Sequence, residues 1–285
     1  MIVVTGATGQ LGRLVIMALL KKVPASSIVA AVRNVEKGKD IAALGVKLQY
    51  ADYNEPLIWD AALKDADKVL LISSSEIGQR AKQHRSVIDA VKRAGVKLLV
   101  YTSVLRADTS PLGLAAEHKK TEAMIRASGV PFTLLRNSWY TENYTAGISA
   151  LLAHGSMYGC AGEGRIASAA RADYAEATAI VLTAENQAGR VYELAGDTAY
   201  TRSELAAEIS RQSGKKIRYV NLPEDEYRKV LVQAGFPEPI AVLLADSDTG
   251  ISKGGLFDDG HQLSKLIGRP TTSLATAVGM VLGKI

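Results

Sequence analysis

The ten residues "VVTGATGQLG", Val3 to Gly12, constrain this chain more than any others. An apolar run ends at Thr5 and a helix-forming run, "GQLGRLVIMALLKK", follows, with Gly6, Gly9 and Gly12 at the junction. Gly6 permits a tight turn, Gly9 lets the backbone approach a pyrophosphate, and Gly12 lets the helix pack closely on the strand. The amides of the first helical turn then point at an anion. Three glycines at this spacing are common. Their place on the first strand, within residues of Met1 and ahead of further strand–helix alternation, makes them informative.

That alternation runs through the first half of the chain. "SIVAAVR", "VKLQYAD", "DKVLLISS", "VKLLVYTS" and "PFTLLRN" read as strands. Between them lie helical stretches such as "EKGKDIAALG", "PLIWDAALKDA", "QRAKQHRSVIDAVKRAG" and "GLAAEHKKTEAMIRASG", three of them stopped by Gly45, Gly95 and Gly129. "DKVLLISS" is almost continuously apolar, as a strand covered on both faces should be. The pattern predicts an α/β fold: a Rossmann-type, doubly wound parallel sheet with right-handed crossovers and a smaller C-terminal substrate lobe. We expect a nucleotide-binding domain over residues 1–140. Residues 141–285 then form mainly the lobe, expected over the C-terminal edge of the sheet. A segment at about 171–196, a helix from near Arg171 followed by "GRVYELAG", returns to the main sheet.

Composition narrows the partners. The 285 residues suit an α/β domain with a small cap, and 47% hydrophobic with 22% charged residues is ordinary for a globule. Thirty-four Lys plus Arg against 29 Asp plus Glu leave a formal charge of +5, and no basic run suggests a nucleic-acid partner. The single Cys160 cannot form an internal disulfide and reads as a small buried residue in a reducing compartment. "MIVVTGATGQ" opens on a strand with no basic segment before it, and no run approaches the ~20 apolar residues of a membrane span. A cytoplasmic protein off the membrane, monomeric or homodimeric, is expected.

The strand ends carry the candidate ligand groups, because ligands lie beyond the carboxyl ends of such strands. An Asp or Glu after the second strand usually meets a free ribose 2′-hydroxyl, whereas this chain has Arg33 followed by Asn34. An Arg forks onto a 2′-phosphate and stacks on adenine, so NADPH is expected over NADH; the plainer alternative is a surface Arg. Ser73, Ser74 and Ser75 end the fourth strand and suit phosphate, ribose or nicotinamide contacts. "NSWYTE", Asn137 to Glu142, follows the sixth strand and suits the nicotinamide end. Asp52 and Tyr53 close the third strand near an adenine.

"GATGQLG", "VRN", "ADYNEP", "LLISSSEIGQRAKQH", "YTSVLRADTSPLGLA" and "TLLRNSWYTENY" together resemble the NmrA-like group of atypical short-chain dehydrogenase/reductases. Within that group the chain is most similar to the bacterial NAD(P)H:quinone oxidoreductases of type 2, relatives of triphenylmethane reductases. The similarity extends to "YELAGDTAYT", "SKGGLFDD" and "LIGRPTTSLA". The resemblance implies NADPH binding and two-electron reduction of quinones or similar small acceptors without flavin. The cofactor contacts it implies are Gly6, Ala7, Thr8, Gly9, Gln10, Leu11, Arg33, Ser73, Ser74, Ser75, Asn137, Ser138, Trp139, Tyr140, Thr141, Glu142 and Arg171.

One segment departs from the usual short-chain reductase. Where many keep a Tyr acid and a Lys four residues later, "LAAEHKKTE" has Leu114 and His118. A ketone needs a prompt proton as hydride arrives. A reduced quinone spreads its charge over a ring and can take a proton from water. The missing Tyr therefore argues for an easily reduced acceptor. His118 and Tyr140 are the candidate catalytic residues, with Lys119 and Tyr144 as further donors. The alternatives are a surface His118 paired with Glu122 one turn on, and Tyr140 and Tyr144 as core aromatics. His84, His154 and His261 are scattered without metal-ligand spacing, so no metal is expected. A dinucleotide-sensing regulator and a reductase of a cationic dye remain alternative readings.

Overall fold

A computed structural model describes residues 1–76 and 78–283 of the chain. Nine strands are defined among these residues: β1 (Ile2–Val4), β2 (Ile28–Val32), β3 (Lys47–Tyr50), β4 (Lys68–Leu71), β5 (Leu98–Val104), β6 (Phe132–Asn137), β7 (Ser156–Gly159), β8 (Val191–Leu194) and β9 (Arg218–Asn221). The first helices are α1 (Gln10–Leu20), α2 (Lys39–Ala42), α3 (Ile58–Ala62), α4 (Arg80–Arg93) and α5 (Ala115–Ser128). Then come α6 (Glu142–Thr145), α7 (Ile148–His154), α8 (Arg171–Thr183), α9 (Arg202–Ser213), α10 (Glu224–Gln233), α11 (Glu238–Ser252), α12 (Gln262–Ile267) and α13 (Leu274–Val281).

Seven strands form one sheet in the order β3-β2-β1-β4-β5-β6-β8. The pairings β1–β2, β1–β4, β2–β3, β4–β5 and β5–β6 are all parallel. This is the doubly wound order of a Rossmann-type fold, and its direction of winding reverses at β1 and β4. Alternation along the strands divides the core in two. Val3, Val29, Ala31, Val69, Leu71, Leu99, Tyr101 and Leu134 pack with Trp59, Leu63, Val87, Ile88, Val91 and Ile125. The intervening residues, Val4, Ile28, Ala30, Val32, Leu70 and Val100, are buried as well, so both faces of the sheet are covered. Helix α1 supplies Leu11, Val15, Ile16 and Leu19 as its buried stripe and packs on α8.

The chain clusters into two compact units. The first comprises Met1–Val104, Glu117–Asn137 and Arg171–Tyr192. The second comprises Leu105–Ala116, Ser138–Ala170 and the chain from Glu193 onward. The sequence rhythm puts Leu105–Ala116 with the nucleotide domain, but its bonds run elsewhere. The backbone N–H of Arg106 donates to Glu193 Oε2 at 2.8 Å, its Nη2 to the Phe257 carbonyl at 2.6 Å, and Gly113 N–H to Asp246 Oδ2 at 2.7 Å. Within the second unit β7 and β9 pair in parallel, and α9 starts on a capping box made by Thr201 and Glu204. No helix among the described residues is long and apolar enough to cross a membrane.

Candidate functional site

The glycine junction has the geometry that its spacing demands. Gly6 sits at φ +56°, in the left-handed region open to glycine. Gly9 N–H closes the turn onto the Gly6 carbonyl at 2.9 Å. A methyl group on Gly12 would lie 2.4 Å from the Gly6 oxygen and 2.8 Å from Ala7 Cα, both backbone atoms. The N-cap of α1 is Gly9, which offers no side-chain cap, and the first turn holds no acidic residue. Its amides and the positive end of its dipole are therefore available to an anion.

A polar knot supports this turn from below. Tyr53 donates its hydroxyl to the Ile72 carbonyl at 2.7 Å and accepts from Thr5 Oγ1 at 2.6 Å, while Ile72 N–H donates to Thr5 Oγ1 at 3.0 Å. The ends of β1, β3 and β4 are thereby tied together. Burial raises the Tyr53 phenol well above its ordinary pKa, so it stays protonated. Tyr53, expected beside an adenine, thus has its hydroxyl committed to the base of the loop. Asp52 Oδ1 caps the N–H of Asn54 at 2.8 Å.

Arg33 follows β2 with its side chain 68% exposed, and its Nη1 reaches Glu76 Oε1 at 3.0 Å. Asn34 Oδ1 accepts from the Lys37 N–H at 3.2 Å. Ser73 and Ser75 hydroxyls have no partner among the described residues, whereas the Ser73 amide donates to Thr102 Oγ1 at 2.8 Å. Ser74 is buried and donates its N–H to His84 Nε2 at 2.9 Å. Because that nitrogen accepts, the ring proton is on Nδ1, which donates to Thr121 Oγ1 at 2.9 Å; Thr121 donates on to the Glu117 carbonyl at 3.0 Å. Burial, then the charge of Arg80, lowers the His84 pKa to about 3. His84 is thus a neutral histidine that fixes the serine loop. Periodicity could have placed it inside: it precedes the core residues Val87 and Ile88 by three and four.

Asn137 ends β6, 3% exposed, and neither of its amide atoms has a partner among the described residues. A buried, unpaired carboxamide is expensive, and its position at a strand end marks it for a ligand or ordered water. Arg171 is the first residue of α8 and half-buried, two residues ahead of buried Asp173 and three ahead of buried Tyr174. In the first unit, then, the glycine turn, Arg33, Ser73–Ser75 and Asn137 all lie at carboxyl ends of parallel strands. Arg171 opens the helix that packs on α1.

Ser138 to Glu142 fall in the second unit. Ser138 N–H donates to the Leu194 carbonyl at 2.8 Å. Trp139 and Tyr140 are half-buried, and Tyr140 forms a parallel bridge with Ala169. Thr141 Oγ1 pairs with Ser168 Oγ at 2.8 Å, and that hydroxyl pairs with Tyr200 OH at 2.5 Å. Glu142 opens α6. Tyr144 keeps its hydroxyl buried without a partner among the described residues and carries the Arg202 guanidinium 4.7 Å from its ring centroid. Cys160 is half-buried rather than fully enclosed, and burial raises its thiol pKa to about 11, so it is inert at neutral pH. No group of three or more metal-ligating side chains occurs among the described residues.

His118 lies in the core rather than on the helix surface. Its side chain is 4% exposed and its Nδ1 lies 2.7 Å from Tyr101 OH in the core. Burial first, then the charge of Arg80, lowers its pKa to about 3. A ring that is neutral at pH 7 and bonded inward is poorly placed to deliver a proton. It is no surface partner of Glu122 either, because Glu122 is buried against Arg136 Nε and Nη2 at 2.9 and 2.6 Å and accepts from Ser103 Oγ at 2.6 Å. Two buried histidines set a pH signature. Each binds its proton near 6.5 unfolded and near 3 folded, so the unfolded state takes up more protons in between. Their contribution is complete above pH 6.5 and is lost as pH falls toward 3. The melting midpoint should fall across that window, and less steeply in His118→Phe. The pH profile of turnover should show no limb that His118→Phe removes; a limb that disappears with the imidazole would restore it as the acid.

Comparison with known proteins gives a consistent picture. The NmrA-like family profile matches residues 1–276. Quinone oxidoreductase 2 of Escherichia coli is 57% identical over 278 residues, covering 98% of this chain and 97% of that protein. The crystal structure of an NADPH-dependent quinone oxidoreductase from E. coli complexed with NADPH superposes with a TM-score of 0.97 at 56% identity, covering 99% of this chain and 100% of that one. The Citrobacter sp. triphenylmethane reductase complexed with NADP(H) gives a TM-score of 0.95 at 40% identity, covering 99% and 100%.

Proposed function

The chain belongs to the NmrA-like family, and from that premise we propose that it is an NADPH-dependent quinone reductase working by direct two-electron transfer without flavin. The observation that carries the reading is the full-length 57% identity to Quinone oxidoreductase 2. Features of the first unit support a nucleotide site there. The residues fit a dinucleotide: an uncapped helix end without acidic residues behind a left-handed Gly6, a Gly12 that admits no side chain, and an unpaired buried Asn137.

NADPH supplies a hydride equivalent, so that quinone, NADPH and a proton give hydroquinone and NADP⁺. The chain's own residues hold and orient. Gly6 to Leu11 present backbone amides to the pyrophosphate, and Arg33 forks onto the 2′-phosphate. The free hydroxyls of Ser73 and Ser75, on the loop fixed by His84, meet phosphate or ribose. Within the first unit Asn137 serves the nicotinamide end, and Arg171 adds a positive charge at the start of α8. Tyr140 is retained as the group nearest in type to a donor or a stacking platform. Leu114 offers no acid, so the hydroquinone anion takes its proton from water, and catalysis consists mainly of placing the two reactants together.

Steady-state oxidation of NADPH with small benzo- and naphthoquinones tests the reading, beside a cationic triphenylmethane dye and a simple ketone. Turnover of the quinones and not the ketone is expected. Selective turnover of the dye would move the assignment to the dye-reductase branch. Oxidation no faster than the uncatalysed rate with every acceptor would end it.

A further inference from the structure

Arg33 does not stand alone. Its Nη1 donates to Glu76 Oε1 at 3.0 Å, and both side chains remain open to solvent, 68% and 42% exposed. A pair this exposed is ordinarily worth little. Glu76, however, is held from behind. Its Oε2 accepts from Nε2 of Gln83 at 2.7 Å, and Gln83 is 1% exposed on α4. The same amide group donates to Asn54 Oδ1 at 3.2 Å, and the Glu76 N–H is fixed to Ser74 Oγ at 3.1 Å. The carboxylate is therefore a built feature at the tip of Arg33. Arg33 follows β2 and Glu76 follows β4, the two neighbours of β1, so the ion pair joins the strands on either side of the glycine turn.

Resting on the reading that Arg33 takes the 2′-phosphate, we propose that Glu76 is a specificity-determining residue. Its anchored carboxylate competes with that phosphate for Arg33 and so tempers the preference for NADPH over NADH. A doubly charged phosphate arriving at Arg33 has to displace a carboxylate that Gln83 keeps close, and is repelled by it afterwards. The 2′-hydroxyl of NADH carries no charge and can donate to a carboxylate, as it does to the acid that usually follows the second strand. One group thus penalises one cofactor and tolerates the other.

Glu76→Gln removes the charge and keeps a carbonyl that Gln83 can still donate to, so the loop remains anchored. Titration calorimetry of the full chain with NADPH and with NADH, in wild type, Glu76→Gln and Arg33→Ala, reads the effect as binding. We expect Glu76→Gln to tighten NADPH by about tenfold at low salt, to leave NADH unchanged or weaker, and to lose much of that gain at high salt. Arg33→Ala lowers the NADPH-to-NADH affinity ratio. If Arg33→Ala lowers the ratio while Glu76→Gln leaves it unchanged or lowers it, the role of Glu76 is overturned and that of Arg33 stands. If Arg33→Ala leaves the ratio unchanged, Arg33 does not read the phosphate and the proposal for Glu76 falls with it. The melting midpoint of Glu76→Gln should stay near that of wild type, separating altered selectivity from a damaged loop.

Discussion

Replacing Gly12 with alanine should weaken NADPH binding by at least about 100-fold, because a shift near 1 Å in a positioning element costs that order. The added methyl would sit 2.4 Å from the Gly6 carbonyl oxygen and 2.8 Å from Ala7 Cα. Neither atom belongs to a side chain that could rotate away. Either α1 moves off the sheet or the Gly6–Gly9 turn opens, and both displace the amides proposed to face the pyrophosphate. The core beneath α1 also suffers, since Leu11, Val15, Ile16 and Leu19 are buried on the same helix; overpacking of this kind costs about 1–3 kcal/mol. Fluorescence titration of NADPH measures the affinity and calorimetric melting the stability. An affinity within about twofold of wild type would show that the close approach of helix and strand is not needed.

The second large effect is on the fold. Glu122 of α5 holds Arg136 of β6 through two bonds, at 2.9 and 2.6 Å, and accepts from Ser103 of β5 at 2.6 Å. Both charged side chains are almost fully buried. Glu122→Ala leaves a buried guanidinium without its carboxylate, a change that costs about 3–5 kcal/mol. In a chain of this size the melting midpoint should drop by on the order of 10 °C. Replacing both partners, as in Glu122→Leu with Arg136→Met, should recover much of the loss, because no charge is then left unpaired. A loss below about 1 kcal/mol in Glu122→Ala would mean that water reaches Arg136 and the pair is not a structural one. Arg136 immediately precedes Asn137, so the pair also fixes the strand end on which the unpaired carboxamide stands.

These two sites differ in how far the sequence exposed them. Parallel strands buried on both faces read as continuous apolar runs, and the expected helix-stop glycines, Gly45, Gly95 and Gly129, all adopt positive φ. The sheet and the glycine turn were legible for those reasons. Helix α5 was not. Its buried stripe is Ala115, His118, Thr121, Glu122 and Ile125, correct in helical spacing but with three of five members polar, so hydrophobic periodicity could not reveal it. Spacing alone therefore allowed a surface His118, whereas the structure buries it in the core. His84, Gln83 and Glu76 escaped for a related reason. Their roles depend on bonds to Ser74, Thr121 and Arg33 across turns and strands, and no local pattern encodes such partners. The transfer of Leu105–Ala116 to the second unit was hidden in the same way, because Asp246 and Phe257 lie far along the chain.

We propose above that this chain moves two electrons from NADPH to a quinone by direct transfer, without flavin or a tyrosine acid. The most direct measurement is the anaerobic reaction of the purified protein with a naphthoquinone and NADPH carrying deuterium at the transferring position. The expected result is a preparation without flavin absorbance, one NADPH oxidised per hydroquinone formed, and a slower chemical step with deuterium on one face of the ring only. Flavin that co-purifies and is required for turnover, or a rate indifferent to the label on either face in single-turnover reactions, would contradict it.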